Sequence, residues 1–521
     1  MSSTTDRPTL RAFTYSKDHL TRLIRSCVRL PETTRQTIEE KQQLDHLDQY
    51  FRQMGARTII AERGYTDRDY LEDYAAYYVR CLDRYRSRCC RLHFHRCALR
   101  TKDLDALAAR AASDVTEKQF RDENCYLGFI VIKPLPRTFI GRTCLKPHPD
   151  VRHGALREHE VHLLGLDLHV RTLGFQEQDR TTSACATSAL WSVLQKTADL
   201  FHHSFYTPAV ITRHATQEIG GIERAFPSHG LTVLQLAGAI RRIGLEPEFF
   251  KPETRAHLQA MAYAYLRMGI PLLLVGSLFD ASASPTRPYD PRDPAGVHGV
   301  AVTGLLAPSR GHPCRPYCEP DAAPGEPGTL FSHSRVDRVF VHDDQIGPFM
   351  SLSFDDASLP VQCPDKRMET EKFVMKSLWR GSDGGTGHVY FAPRSVIVPV
   401  YHKIRISVLP VIRRVIEYDK YVETRRGRGD SPLDCRLEWD VFLSTTNDLK
   451  RDIRRRSDLA RGLRVGFLEE SMPRFVWRAI GLCGERRVIE LLYDATDIEQ
   501  ADFQLPQLIP YDSQVADWLV G

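Results

Sequence analysis

"QDRTTSACATSALWSVLQK", residues 178–196, sets one cysteine at the front of an apolar helix. Ala189, Leu190, Val193 and Leu194 give that helix an apolar face through their i, i+1, i+4, i+5 spacing. Thr182 or Ser183 is placed to cap it. Cys185 then falls in the first turn, where unpaired backbone N–H groups and the positive end of the helix dipole favour a thiolate. The thiolate is the nucleophilic form of cysteine. A free cysteine also serves as a small buried hydrophobe, so the meaning of the stretch depends on its partners elsewhere in the chain.

Gln178, seven positions earlier, offers a side-chain amide. Together with the Cys185 backbone N–H it would make a hole for a developing oxyanion, and Gln176 offers the same group. Downstream, "GVHGVAVTGL" (296–305) opens a short apolar strand on His298, with glycines that leave room beside the ring. Val300 and Val302 share its face by alternation. A histidine within hydrogen-bond reach of sulfur is a general base. "RVFVHDDQIGPF" (338–349) reads as another strand, ending in Asp343 and Asp344. Alternation puts Val339, Val341 and Asp343 on one face and Asp344 on the other, unless a bulge intervenes. A carboxylate on the second imidazole nitrogen would fix the tautomer and stabilise the imidazolium. Taken singly, these are a surface glutamine, a strand-edge histidine and an Asp-Asp turn.

Their order is more specific. A glutamine, a cysteine at a helix start in "ACATSAL", a histidine strand in "HGVAVTG" and an aspartate ending "VFVHDD" together resemble the papain-like cysteine peptidases, and among them the C39-like branch. The resemblance spans about residues 176–355. It implies a papain-like α+β fold, with Cys185 as nucleophile and His298 as general base and acid. Asp343, or alternatively Asp344, would be the orienting carboxylate, and Gln178, or alternatively Gln176, the oxyanion donor. It implies neither cofactor nor metal. Two positions depart from the pattern: Ala186 stands where glycine is usual, and Asp344 where proline is common.

The rest of the chain bounds this reading. At 521 residues it exceeds what one core usually supports, so several domains are expected. The divisions expected are a mainly helical region over 1–150 ending in β-strands, a papain-like unit over 151–355, and an α+β domain over 356–521. The balance of 71 Lys+Arg against 66 Asp+Glu argues against nucleic acid as the main partner. The longest apolar run, "GIPLLLVGSLF" (269–279), is too short for a bilayer, which needs about 20 residues. The start, "MSSTTDRPTLRAF", does not read as a secretory signal, and 13 scattered cysteines read as mostly reduced thiols in a cytoplasmic protein.

Other candidates are weaker. "CCRLHFHRC" (89–97) and "HPCRPYC" (312–318) hold zinc-ligand types, but each is compressed into one segment without a second ligand pair. "GSDGGTG" (381–387) lacks the Lys-Ser/Thr of a phosphate-binding loop. "RGD" (428–430) sits in a basic loop, and "KRDIRRRSDLARGLR" (450–464) reads as a solvated helix face. The expected function is a cytoplasmic cysteine hydrolase acting on a peptide or isopeptide bond of a protein or peptide substrate, with the flanking domains selecting it. The same residues would also suit a catalytically inactive peptide-binding protein, or an acyl or amine transferase of transglutaminase or deamidase type.

Overall fold

The computed structural model describes residues 10–109, 113–148, 152, 154–179, 184–217, 226, 230–280, 297–306, 313–318, 327–355, 359–362, 368–371, 373–377, 389–429, 431–498 and 506–520. The chain is α+β. Thr182, Ser183, Gly296, His312, Asp430 and the glycine-rich 381–387 lie outside the described residues.

The N-terminal region is built on an antiparallel sheet in the order β1 (Leu10–Thr14), β2 (Thr58–Tyr65), β3 (Cys89–His95), β4 (Tyr126–Ile132), β5 (Ile140–Leu145). Helices α1 (Lys17–Val28), α2 (Arg35–Glu39) and α3 (Gln42–Gln53) cover one face. The other face takes α4 (Arg68–Ala76), α5 (Thr101–Ala108), α6 (Asp114–Arg121) and the hairpin β6 (Arg157–Leu163)–β7 (Leu166–Thr172). Strand alternation does the sorting. Ile59 and Ala61 pack on α1 and α3, while Ile60 joins Tyr70 and Phe120 on the far side. The region expected to be mainly helical and to end in β-strands has its helices, but its strands run from β1 onward rather than only ending it. α4 stops at Ala76, because Tyr77 leaves helical geometry (φ −135°, ψ −58°) and Tyr78–Arg80 form a single 3₁₀ turn.

The middle region continues with α7 (Cys185–Phe201), α8 (Pro208–Thr216), α9 (Val233–Arg242), β8 (Leu245–Phe250), α10 (Arg255–Met268), β9 (Leu272–Asp280) and β10 (Val297–Leu305). Gly244 ends α9 at φ +93°, in the region that favours glycine. Then come β11 (Pro316–Tyr317), β12 (Thr329–Phe331), β13 (Arg338–Asp343), β14 (Gly347–Asp355), the small hairpin β15 (Leu359–Gln362)–β16 (Met368–Glu371), β17 (Val374–Ser377) and β18 (Val389–Tyr401). Their ladder runs β17-β14-β13-β10-β9-β18-β8, and β17 also pairs with β18. Six strands therefore close into an antiparallel ring, with β8 as an extension on β18. Closure removes the edges that an open sheet would expose. The expected division at 356 does not match this topology: β17 and β18 lie beyond it and complete the sheet that carries β10 and β13.

The remaining elements are α11 (Val408–Arg426), β19 (Glu438–Thr445), α12 (Thr446–Arg455), α13 (Arg461–Glu469), β20 (Phe475–Cys483), β21 (Arg486–Asp494), β22 (Gln507–Pro510) and α14 (Ser513–Val520). Their sheet begins with β11 and β12 and runs on through β19 to β22. One continuous core reaches from Ala155 to Leu519, so the middle and C-terminal regions share their interior. Cysteines 97 and 125, and 435 and 483, form disulfides, while eight others among the described residues are free. Most of the described cysteines are thus thiols, as expected, while the two bonds are the type of link that persists in oxidising surroundings. Among the described residues, no helix is long and apolar enough to cross a membrane.

Candidate active site

The N-cap of α7 is Ala184, in extended geometry, with no side chain to accept from the first turn. Cys185 is the first helical residue and stays partly exposed. Behind it the helix is buried on nearly every side through Ala186, Leu190, Trp191, Val193 and Leu194, which fixes the direction of the thiol. The N–H groups at the start of a helix carry the partial positive charge that a thiolate needs.

β10 is laid across this helix end. At Gly299 a Cβ would come 3.5 Å from the Ala186 Cα, an ordinary contact, so the strand passes close to the first turn. His298 precedes this contact and pairs with Gly276 of β9. On the other side Ala301 pairs with His342, which brings the end of β13 toward His298. Two polar groups are delivered there. His298 Nε2 lies 3.1 Å from Asp343 Oδ1 and 3.7 Å from Asp344 Oδ1. Asp343 ends β13 and Asp344 begins the turn after it, so strand alternation no longer separates them and both aspartates reach the same ring.

With Nε2 on the carboxylates, the other ring nitrogen is left for sulfur, and the ring shares a hydrogen bond with the Cys185 thiol. His298 is 2% exposed. Burial alone would depress its basicity. The charge of Asp343, the hydrogen bonds to Asp343 and Cys185, and the charge of Asp344 outweigh burial and raise its pKa well above the ordinary value. The aspartates are not equivalent. Asp343 Oδ1 also accepts from the Gln345 backbone N–H at 3.0 Å. The Asp344 carboxylate oxygens have no hydrogen-bond partner among the described residues. Burial, offset in part by His298, together with repulsion from Asp343 and Glu177, pushes Asp344 up to about 7. Asp343 is therefore the better orienting anion, by distance and by support.

Gln176 is buried, and its Nε2 has no hydrogen-bond partner among the described residues, whereas Gln178 is half-exposed. Of the two glutamines, Gln176 is the one with an amide to spare. Glu177 between them pairs with Lys41 and accepts from the Ile140 N–H at 3.1 Å.

Sequence reasoning missed the support from the N-terminal region. Gln43 Nε2 donates to the Asp344 backbone oxygen at 3.0 Å, and His46 Nε2 lies 2.8 Å from the Pro348 oxygen. Both come from α3 and hold the turn after β13. Their distance in sequence from that turn leaves no local signal to find them by.

Among the described residues three groupings could gather around a cation: His298 with Asp343 and Asp344, Asp434 with Cys435 and Cys483, and Glu160 with His162 and Asp167. The second has its sulfurs joined in a disulfide, and the third is fully exposed. In the first, His298 is already engaged on both sides by Cys185 and Asp343. The histidines and thiols of "CCRLHFHRC" form no such grouping, and neither do Cys314 and Cys318 of "HPCRPYC". Neither a protein-family model nor a curated protein matches the chain.

Proposed function

We propose that the chain is a cysteine hydrolase that cleaves a peptide or isopeptide bond, with a papain-like site set between α7 and the β10–β13 pair. The observation that carries this reading is a partly exposed cysteine at a helix start, hydrogen-bonded to a histidine that lies 3.1 Å from an aspartate. Cys185 gives its proton to His298, and the thiolate attacks the substrate carbonyl carbon. The oxyanion that forms takes hydrogen bonds from the Cys185 backbone N–H and a glutamine amide, Gln176 or Gln178. His298 then protonates the leaving amine as the C–N bond breaks, which leaves a thioester on Cys185. Water, deprotonated by His298, attacks the thioester, releases the carboxylic acid and restores the thiol. Asp343 holds the ring and stabilises the imidazolium throughout.

The test is the rate of iodoacetamide alkylation of Cys185 between pH 4 and 9, in the wild type and in His298→Ala. Fast labelling well below pH 8 that is lost in the variant supports the ion pair. Labelling that follows an ordinary thiol near pH 8.5 in both proteins defeats the hydrolase reading.

A further inference from the structure

Ten residues along α7 from Cys185, Gln195 faces a cavity of about 190 Å³ between the helix and the N-terminal region. Arg142 of β5, Arg157 and His159 of β6, and Arg68 and Asp69 of α4 line it as well. This cavity is separate from the Cys185 site and does not depend on the reading given to it.

Its polar atoms are under-used. Arg142 Nε, Arg157 Nε, His159 Nε2 and Gln195 Nε2 are all buried, and none has a hydrogen-bond partner among the described residues, although Asp199 Oδ1 stands 3.6 Å from Arg157 Nε. Gln195 itself is only 7% exposed. Buried polar atoms without partners are rare, and four around one cavity call for an occupant. The guanidiniums are held in place by other atoms. Arg142 Nη2 donates to the Tyr65 hydroxyl and pairs with Asp67 at 2.8 Å, Arg68 donates to the Phe205 carbonyl, and Arg157 stacks on Phe205. Their remaining N–H groups stay directed to the space between them.

The surrounding charges define what would fit. Asp67 is matched by Arg142, Asp199 lies 3.6 Å from Arg157, and Glu72 accepts from the Thr207 hydroxyl. Burial and the nearby Asp67 push Asp69 up to about 7, so it is available as a neutral donor under mildly acidic conditions. Burial and the two arginines push His159 down to about 3, a penalty that a bound anion would reverse. Guanidinium and amide N–H groups arriving from three elements suit an acceptor with several oxygens pointing in different directions. A tetrahedral oxyanion has that shape, and a planar carboxylate does not.

We infer that this cavity binds a phosphate group, supplied either as inorganic phosphate or as a small phosphate monoester resting on Trp191 and Phe205. The experiment is calorimetric titration of the full-length protein at pH 7 and constant ionic strength, with inorganic phosphate, phenyl phosphate and acetate in turn. Saturable binding of one phosphate is expected, with acetate at least tenfold weaker. A phenyl phosphate affinity above that of phosphate would assign the site to monoesters, and the reverse order to the free ion. Arg157→Lys, which keeps the charge but loses Nε, and Gln195→Met should each weaken binding about tenfold while retaining the wild-type circular dichroism. If Arg157→Lys fails to fold, Gln195→Met alone decides. Heat that does not saturate, acetate binding as tightly as phosphate, or unchanged affinity in the folded variants would overturn the inference and leave water as the occupant.

Discussion

Buried histidines on β10 and on β3 are treated in opposite ways. His298 on β10 has Asp343 at 3.1 Å, and its basicity rises. His93 on β3 also has a carboxylate, Glu62 at 3.3 Å, but Arg91 claims the same carboxylate at 2.7 Å. Burial then wins and His93 falls to about 4. His95 has no partner on either ring nitrogen, only the rings of Phe120 and Tyr126, and falls to about 3. The lesson is that burial does not decide the charge state of a histidine. The charged groups around the ring do, and the β10 site brings a carboxylate and a thiol to one imidazole.

The sharpest way to break the contrast is to remove the β10 ring. His298→Ala should lower the Cys185 alkylation rate at pH 6 by about 100-fold or more, measured by mass spectrometry against time. Asp343→Asn should lower it by about tenfold, while Asp344→Asn should change it less than threefold, because only Asp343 is close and externally supported. Equal effects of the two would erase the distinction drawn between them.

The strands should also differ in the sign of their pH dependence. His298 has a raised folded-state pKa, so its stabilisation is full below about 6.5 and is lost as pH rises through the folded value. His95 is depressed to about 3, so it destabilises the fold as pH falls below about 6.5. His95→Phe should therefore stabilise by roughly 2 kcal/mol at pH 5 and by much less at pH 8, read from urea midpoints. Asp344 behaves as an acid raised to about 7, so its stabilising contribution falls as pH rises from about 4 to 7. Asp344→Asn should raise stability by about 1–2 kcal/mol at pH 8 and leave it unchanged at pH 4. The smallest expected effect is that of a chelator. With His298 engaged by Cys185 and Asp343, EDTA should alter the labelling rate by less than twofold, and a larger change would point to a cation among His298, Asp343 and Asp344.

The parts legible in the sequence are those whose signals are local. The helix at Cys185, the Gly244 stop and the strands that carry His298 and Asp343 all follow from periodicity and punctuation within a dozen residues. The sharing of one ring by both aspartates was not legible, because it depends on the strand ending at Asp343 and turning at Asp344. The strands β1 and β2 were hidden for another reason. β1 is five residues long, and "TIIAERGY" is apolar at one end and charged at the other, so no clean alternation marks it. The Gln43 bond to the Asp344 carbonyl depends on tertiary contact across almost the whole N-terminal region, which no pattern in a single segment encodes.

The closing strand of the ring has a consequence in time as well as in space. β18 pairs with β9 along Val389–Ile397, and only then is the sheet behind His298 complete. During synthesis Cys185 emerges roughly 200 residues before Tyr401, a lag of about 10–40 s at roughly 5–20 residues per second. For that interval the nascent chain holds a thiol whose base is not yet anchored. On the proposed reading, Cys185 stays without its base until most of the protein has been made.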